Sequence, residues 1–425
     1  MKIVIATAVY YPQINGVAVF SHNLAVGLAK RGHEVMVICP SRTGKSRTEV
    51  KDGVRVEYLN SVDLKVYPDQ IHDVPEKKKI AGIKMPHLWY KHGFRASVFP
   101  MRQVARVLRG FGPDVVHLQV SDPIGLSVEW WARKNNVPVV TTEHNQPEVL
   151  TDPIHLPSPM KKPANALLSV YFRNRQRKSD FVTMPTEQAI SHLLSKGKDL
   201  GVPIAAVSNG VDLSYFKPGK ASAAFYEKYG VDKNLLTVLY VGRVDPEKKV
   251  GTVIEAFKKA DRDIHMRRNG RESTSKDSQI QLVIVGDGVD KARLEKISDG
   301  CQNIHFLGRI VGNELYEAYK LGDVFATASE IETQGIVLIE AAACGLPLIA
   351  VNKGAVSDVC ITNKNGYLCK PGSSDEIAEA MIKILSDKRL REKFSKASIE
   401  IASEHDFERT LDRFINIYNK VKKNP

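Results

Sequence analysis

Residues Ser329–Pro347 read SEIETQGIVLIEAAACGLP and lie between two apolar runs, Asp323–Ala328 and Leu348–Val351, with the composition of buried strands. The segment opens as a loop carrying Glu330 and Glu332. From Gly335 it becomes helical, IVLIEAAAC, and Gly345 with Pro347 ends the helix. The first turn, Gly335-Ile336-Val337-Leu338, holds neither acid nor lysine, so its free backbone N–H groups are open to an external anion. Gly335 lets that anion come close. Glu332 lies just before this turn, and Glu340 lies one to two turns further on. A phosphate at the helix start would be flanked by two carboxylates, which suit hydroxyls far better than phosphate oxygens. Hydroxyls beside phosphates are what a sugar nucleotide offers.

Two acids alone at this spacing also describe an ordinary strand–loop–helix unit with solvated carboxylates. The wider pattern separates the two readings. Glu332-Thr-Gln-Gly-Ile-Val-Leu-Ile-Glu340, followed by AAACGLPLIA, resembles the E-x7-E motif of retaining family-4 glycosyltransferases. The resemblance implies an α/β architecture of the GT-B type, two doubly wound parallel-sheet domains facing across a cleft. It also implies that Glu332 touches the donor hexose and that Glu340 holds the nucleotide ribose. The Thr333-Gln334-Gly335 version is similar to the one common in glycolipid-forming members, such as diacylglycerol glycosyltransferases.

With 425 residues, two domains of roughly 200 are expected. Hydrophobic content of 43% and charged content of 26% are those of a soluble globular chain. No apolar run approaches the roughly 18–20 residues that span a membrane. The start, MKIVIATAVYYP, reads as a first strand and not as a signal peptide, because Pro12 stops the apolar run and no small-residue cleavage site follows. Cys39, Cys301, Cys344, Cys360 and Cys369 form no CxxC pair and are odd in number, which fits a reduced, cytoplasmic chain.

The charge is lopsided. Residues 1–215 hold 28 Lys and Arg against 18 Asp and Glu, a net +10, whereas the remainder holds 33 against 30, a net +3. A basic half implies an anionic partner: nucleic acid, a membrane surface or a phosphorylated substrate. Aromatic-rich nucleic-acid motifs, zinc spacings and a helix-turn-helix pattern are not visible, so no nucleic-acid partner is expected.

Along the first half, Met1–Ala8 and Val35–Cys39 read as strands around a helix over Val17–Arg31. This is the β–loop–α–β opening of an open parallel sheet. GxGxxG is missing, which disfavours a nicotinamide or flavin site; Gly16 alone stands where the helix begins. It is either a helix-entry turn or a point of close backbone access to substrate. Lys77, Lys78, Lys79, Lys84, Trp89, Tyr90, Lys91, Arg95, Arg102, Arg106 and Arg109 mix cations with aromatics. Each reads singly as solvated surface; as a group they suit anionic headgroups. His117 and His144 are placed at the C-terminal ends of strands Asp114–Leu118 and Pro138–Thr142, where sites collect. A lone His is more often a satisfied polar residue. The resemblance implies that His144, in TTEHN, reaches the donor sugar near the reacting carbon. Pro163–Asp180 is amphipathic and carries Arg173, Arg175, Arg177 and Lys178, assigned with Trp89 to the membrane and acceptor side.

NGVDLSYFKPG, residues 209–219, matches the segment leading into the second domain of these enzymes. The expected organisation is 1–205 as the acceptor-side domain, 206–405 as the nucleotide-sugar domain, and 406–425 as a helix packing back on the first. VGRVDPEKKV resembles the family's G-R-x-x-x-E-K segment, implying that Arg243 and Lys248 hold the donor diphosphate. Residues 262–279 are read as a polar, flexible insertion without apolar period. The backbone near Arg309, after strand Asn303–Gly308, is where the resemblance places the base.

The implied reaction is retaining transfer of a hexose from a UDP- or GDP-linked donor, with UDP-glucose as the type donor, to a membrane lipid such as diacylglycerol. The chain would act as a peripheral protein at the inner membrane face. No metal and no cofactor beyond the donor itself are implied, because basic side chains do the charge work. Alternatives are a soluble or polysaccharide acceptor, a sugar-nucleotide epimerase, and a non-catalytic carbohydrate binder at the membrane surface.

Overall fold

A computed structural model describes residues 1–11, 16–64, 94–119, 122–144, 158–195, 199–269 and 278–423. Its contacts divide the chain into Met1–Ser208 with Leu411–Pro425, the first unit, and Asn209–Thr410, the second.

The apolar runs of the first unit form an eight-stranded sheet from β1 (Lys2–Ala6), β2 (Glu34–Pro40), β3 (Arg47–Lys51), β4 (Val54–Leu59), β7 (Val115–Leu118), β8 (Val139–Thr142), β9 (Phe181–Met184) and β10 (Ile204–Ala206). The remaining strands, β5 (Val62–Leu64) and β6 (Phe94–Ala96), make a short antiparallel pair. The sheet order is β10-β9-β8-β7-β1-β2-β4-β3, parallel except for β3, which runs antiparallel along the edge. Central strands such as β7 and β8 are buried along their whole length, as expected where helices cover both faces. Helix Gly16–Lys30 buries Phe20, Leu24 and Leu28. Helix Pro123–Lys134 starts on Asp122, whose carboxylate accepts the Gly125 N–H at 2.8 Å, with proline in the first turn. From Leu411 onward, helix Phe407–Lys423 belongs to this unit, and Phe414 packs its ring 5.9 Å from that of Phe20.

The second unit holds a six-stranded parallel sheet of β11 (Leu236–Val241), β12 (Ile280–Val285), β13 (Ile304–Gly308), β14 (Val324–Ala326), β15 (Leu348–Val351) and β16 (Gly366–Cys369). Its order is β13-β12-β11-β14-β15-β16. Alternate residues of β11 feed two different cores. Val238 and Tyr240 pack with Val253 and Phe257, while Leu239 and Val241 pack with Tyr319 and Leu338.

One expectation fails here. The helix that begins at Val250 runs to Asn269, so residues 262–269 are helical and not part of a flexible insertion. Its apolar face continues: Val250, Val253, Ile254, Phe257, Ala260 and Ile264 are all buried, at helical spacing. Residues 270–277 of that insertion lie outside the described residues.

Candidate active site

The second sheet is wound outward from β11 to β13 and then crosses back to β14. In open parallel sheets, the crevice beyond the strand C-termini at such a reversal is where ligands bind. The loops leaving β11 and β14 carry Arg243–Lys248 and Glu330–Gly335, and the fold brings them together. Lys248 Nζ donates to Glu332 Oε1 at 2.7 Å, across 84 positions of sequence. Both side chains are 16% exposed, so the pair is sheltered but reachable. The Glu332 backbone is fixed by the loop after β15, where the Ala355 N–H donates to its carbonyl at 3.1 Å. Lys353 on that loop donates to Glu330 at 2.7 Å. Lys353 was not singled out from sequence, although its place after the β15 run followed the same rule.

Arg243 forks onto Asp245 and Glu247 of its own loop, with 2.6 Å to Glu247, and is 40% exposed. Its carbonyl accepts the Tyr240 hydroxyl at 2.7 Å. The loops after β11 and β12 press together so closely that a Cβ at Gly286, whose φ is 145°, would lie 1.8 Å from the Gly242 oxygen. Arg309 follows β13 at the same edge and is exposed.

Helix Ile336–Ala343 starts on Gly335 in a left-handed conformation, φ 72°, without a side-chain cap or an acid in its first turn. The Leu338 N–H returns to the Gly335 carbonyl at 2.8 Å; among the described residues the Ile336 and Val337 N–H groups meet no acceptor. Glu340, on the same helix, accepts the hydroxyl of fully buried Tyr319 at 2.6 Å. Burial raises its carboxyl from 4.5 to about 7, opposed by that hydrogen bond. Tyr319 also escaped the sequence reading, since nothing local links it to a glutamate 21 residues on.

In the first unit, His144 follows β8 and is buried, its Nε2 2.7 Å from Gln119 Oε1. Burial lowers its imidazole to about 4. His117 is not at a strand mouth, as expected, but inside β7 and fully buried, with Tyr418 OH 2.7 Å from Nδ1 and Thr142 Oγ1 2.6 Å from Nε2. It is a satisfied core histidine. Gly16 is the first residue of its helix, and an added Cβ would meet nothing within 4 Å.

The basic residues separate by environment. Arg175 is corrected outright: it pairs with buried Glu129 and is 14% exposed, so it supports helix packing and does not face a membrane. Arg95 is likewise structural, donating to the Ser41 and Ser61 carbonyls and the Ser61 hydroxyl. Arg177 and Lys178 are exposed and Arg173 partly so. Trp89, with Lys77–Lys79, Lys84, Tyr90 and Lys91, lies outside the described residues. Among the described residues, no cluster of three His, Cys, Asp or Glu side chains could hold a metal ion, and no helix is long and apolar enough to cross a membrane.

Residues 14–215 match the family model described as Glycosyltransferase Family 4, and residues 222–401 match Glycosyl transferases group 1. A GDP-mannose-dependent alpha-mannosyltransferase of Mycobacterium tuberculosis is 30% identical, over 88% of this chain and 84% of that protein. The chain belongs to glycosyltransferase family 4. An alpha-monoglucosyldiacylglycerol synthase of Acholeplasma laidlawii is 27% identical over 93% of this chain and 91% of its own. The crystal structure of Anabaena HepE in complex with UDP-glucose superposes with a TM-score of 0.68 at 15% identity, covering 99% of this chain and all of that one. The fold is GT-B, and this family-4 protein is a hexosyltransferase that uses a nucleotide-sugar donor.

Proposed function

We propose that this enzyme transfers a hexose, with retention, from a UDP- or GDP-linked donor to a hydroxyl of a membrane lipid such as diacylglycerol. The observation that carries the donor reading is the Lys248–Glu332 contact, which puts a phosphate-type cation and a hydroxyl-type carboxylate side by side at the sheet's reversal point. In this reading Arg243, Lys248 and the Ile336 and Val337 N–H groups hold the diphosphate, with Gly335 permitting close approach. Glu340 takes the ribose, backbone near Arg309 the base, and Glu332 and His144 the hexose hydroxyls; Gly16 offers backbone access to substrate. The anomeric C–O bond to the diphosphate breaks as the acceptor oxygen bonds the same carbon from the same face. The acceptor proton passes to the leaving phosphate. Arg243 and Lys248 offset the charge that grows there, so the reading assigns no step to a metal or further cofactor.

Glu340→Ala should therefore weaken free nucleoside diphosphate binding, whereas Glu332→Ala should slow transfer more than it weakens that binding. Calorimetry beside turnover measures both; the opposite ranking would mean that the two carboxylates exchange roles.

The lipid half of the proposal is supported by the Acholeplasma relative's name and by one face of the first unit. Arg102, Arg106 and Arg109 recur along helix Met101–Phe111, which contains no acid, and with Met101 and Trp130 they line a surface groove. Phe99 just ahead of the helix is 93% exposed. Each such cation contributes about 1 kcal/mol near an anionic leaflet, weakened by salt, and the exposed aromatics add a salt-insensitive part. Replacing the three arginines by glutamine should cut sedimentation with anionic vesicles about tenfold or more at low salt while nucleotide affinity stays the same. A transfer screen with UDP-glucose and GDP-mannose, against diacylglycerol in vesicles and soluble sugars, tests the whole reading. Vesicle binding indifferent to anionic lipid, with transfer only to soluble acceptors, would exclude a lipid substrate.

A further inference from the structure

The buried polar side chains of the first unit's sheet form one connected chain. Thr142 and Thr183 face each other across β8 and β9, with their hydroxyls 2.6 Å apart. Thr142 Oγ1 lies 2.6 Å from His117 Nε2, and Tyr418 OH lies 2.7 Å from His117 Nδ1. Gln119, at the end of β7, stands between the two histidines. Its Nε2 is 3.2 Å from His117 Nε2, and its Oε1 is 2.7 Å from His144 Nε2. His117, Gln119 and Thr183 are fully buried, and Thr142 and His144 nearly so. The Phe20 ring meets His144 edge-on at 5.1 Å, and Phe414 lies 5.1 Å from His117. Neither imidazole is in open solvent.

A carboxamide has one donating and one accepting end. With Gln119 Nε2 turned toward His117, that imidazole's Nε2 must be bare, and its proton sits on Nδ1 facing the Tyr418 oxygen. With Oε1 turned toward His144, His144 Nε2 must carry a proton. Burial keeps both rings neutral near pH 7, so each has a single N–H. His144 Nδ1 is therefore bare, and among the described residues it has no partner.

We propose that Gln119 is a positioning residue that locks His144 in the Nε2–H tautomer, leaving Nδ1 as a hydrogen-bond acceptor. The substrate group His144 takes is then a hydroxyl that donates to it, not a phosphate or carbonyl oxygen. His117 lies behind Gln119, with the Tyr418 and Thr142 hydroxyls on its two ring nitrogens. This rests on the reading of His144 as a contact of the transferred sugar, but its first test does not use activity.

Nitrogen-15 spectra of the full chain with labelled histidine, with His144 assigned from the signals lost in His144→Gln, report the tautomer directly. The expected pattern is a protonated Nε2 and an unprotonated Nδ1, unchanged between about pH 6 and 8. A protonated Nδ1, or averaged signals, in the wild-type chain would overturn the proposal whether or not any variant folds. In Gln119→Leu the two His144 nitrogens should move toward average shifts. Turnover should fall about tenfold, with nucleoside diphosphate affinity held within about twofold. An unchanged His144 tautomer in a folded Gln119→Leu chain would also overturn it. Full turnover by His144→Ala, with the nitrogen shifts as expected, would uphold the lock and defeat only the sugar contact.

Discussion

Arg243→Ala is expected to lower kcat about a hundredfold or more while the chain remains folded. The side chain is 40% exposed, so truncation removes little packing. Its partners Asp245 and Glu247 lie on the same loop, and Asp245 keeps the Val289 N–H at 3.0 Å. In the proposed reading, what is lost is a planar cation beside the leaving diphosphate. Charge accumulates there as the glycosidic bond breaks, so the loss should fall on kcat more than on donor affinity. Arg243→Lys should recover part of the rate, since it restores the charge without the fork. Lys248→Ala is a less clean probe, because it also leaves largely sheltered Glu332 without its counter-charge. Near-normal turnover by a folded Arg243→Ala protein would remove Arg243 from the diphosphate site.

The segments that hold these residues were legible because parallel strands buried on both faces are written as unbroken apolar runs. Leu348–Val351 is buried at every position, and its ends agree with the sequence reading. What sequence hid was contact between distant side chains. Nothing local pairs Lys248 with Glu332 or Tyr319 with Glu340. Other signals were present and unread. Residues two apart on a helix point to nearly opposite sides, so Arg173 and Arg175 could not share one basic face; Arg175 turns inward to Glu129. In residues 262–269 the charge content concealed Ile264, which continues the buried stripe of Val253 and Phe257. His117 falls inside its strand, where a buried imidazole needs two partners, and Tyr418 and Thr142 supply them from distant parts of the chain.

Glu340→Gln is expected to stabilise the unliganded protein at pH 8 while weakening nucleotide binding. The folded carboxyl keeps its proton to about pH 7, against 4.5 for an ordinary glutamate. Between those values the folded state binds more protons than the unfolded one, so stability falls as pH rises through the window. Below the window both states are protonated, and wild type and variant should be alike. Above it the wild type carries a desolvated charge, and the full difference is about 3 kcal/mol in favour of glutamine. Glutamine is close in shape, and its Oε1 can still accept the Tyr319 hydroxyl, so no cavity forms and that hydroxyl keeps its partner. Binding should move the other way. A carboxylate can accept from both ribose hydroxyls, whereas the amide offers one oxygen, and about a tenfold loss in nucleoside diphosphate affinity is expected. Thermal unfolding of both proteins from about pH 4 to 8, with calorimetric titration at the upper end, measures the two effects together. A stability difference independent of pH would show that Glu340 is not held protonated by burial. Unchanged affinity would show that the carboxylate does not serve the ribose.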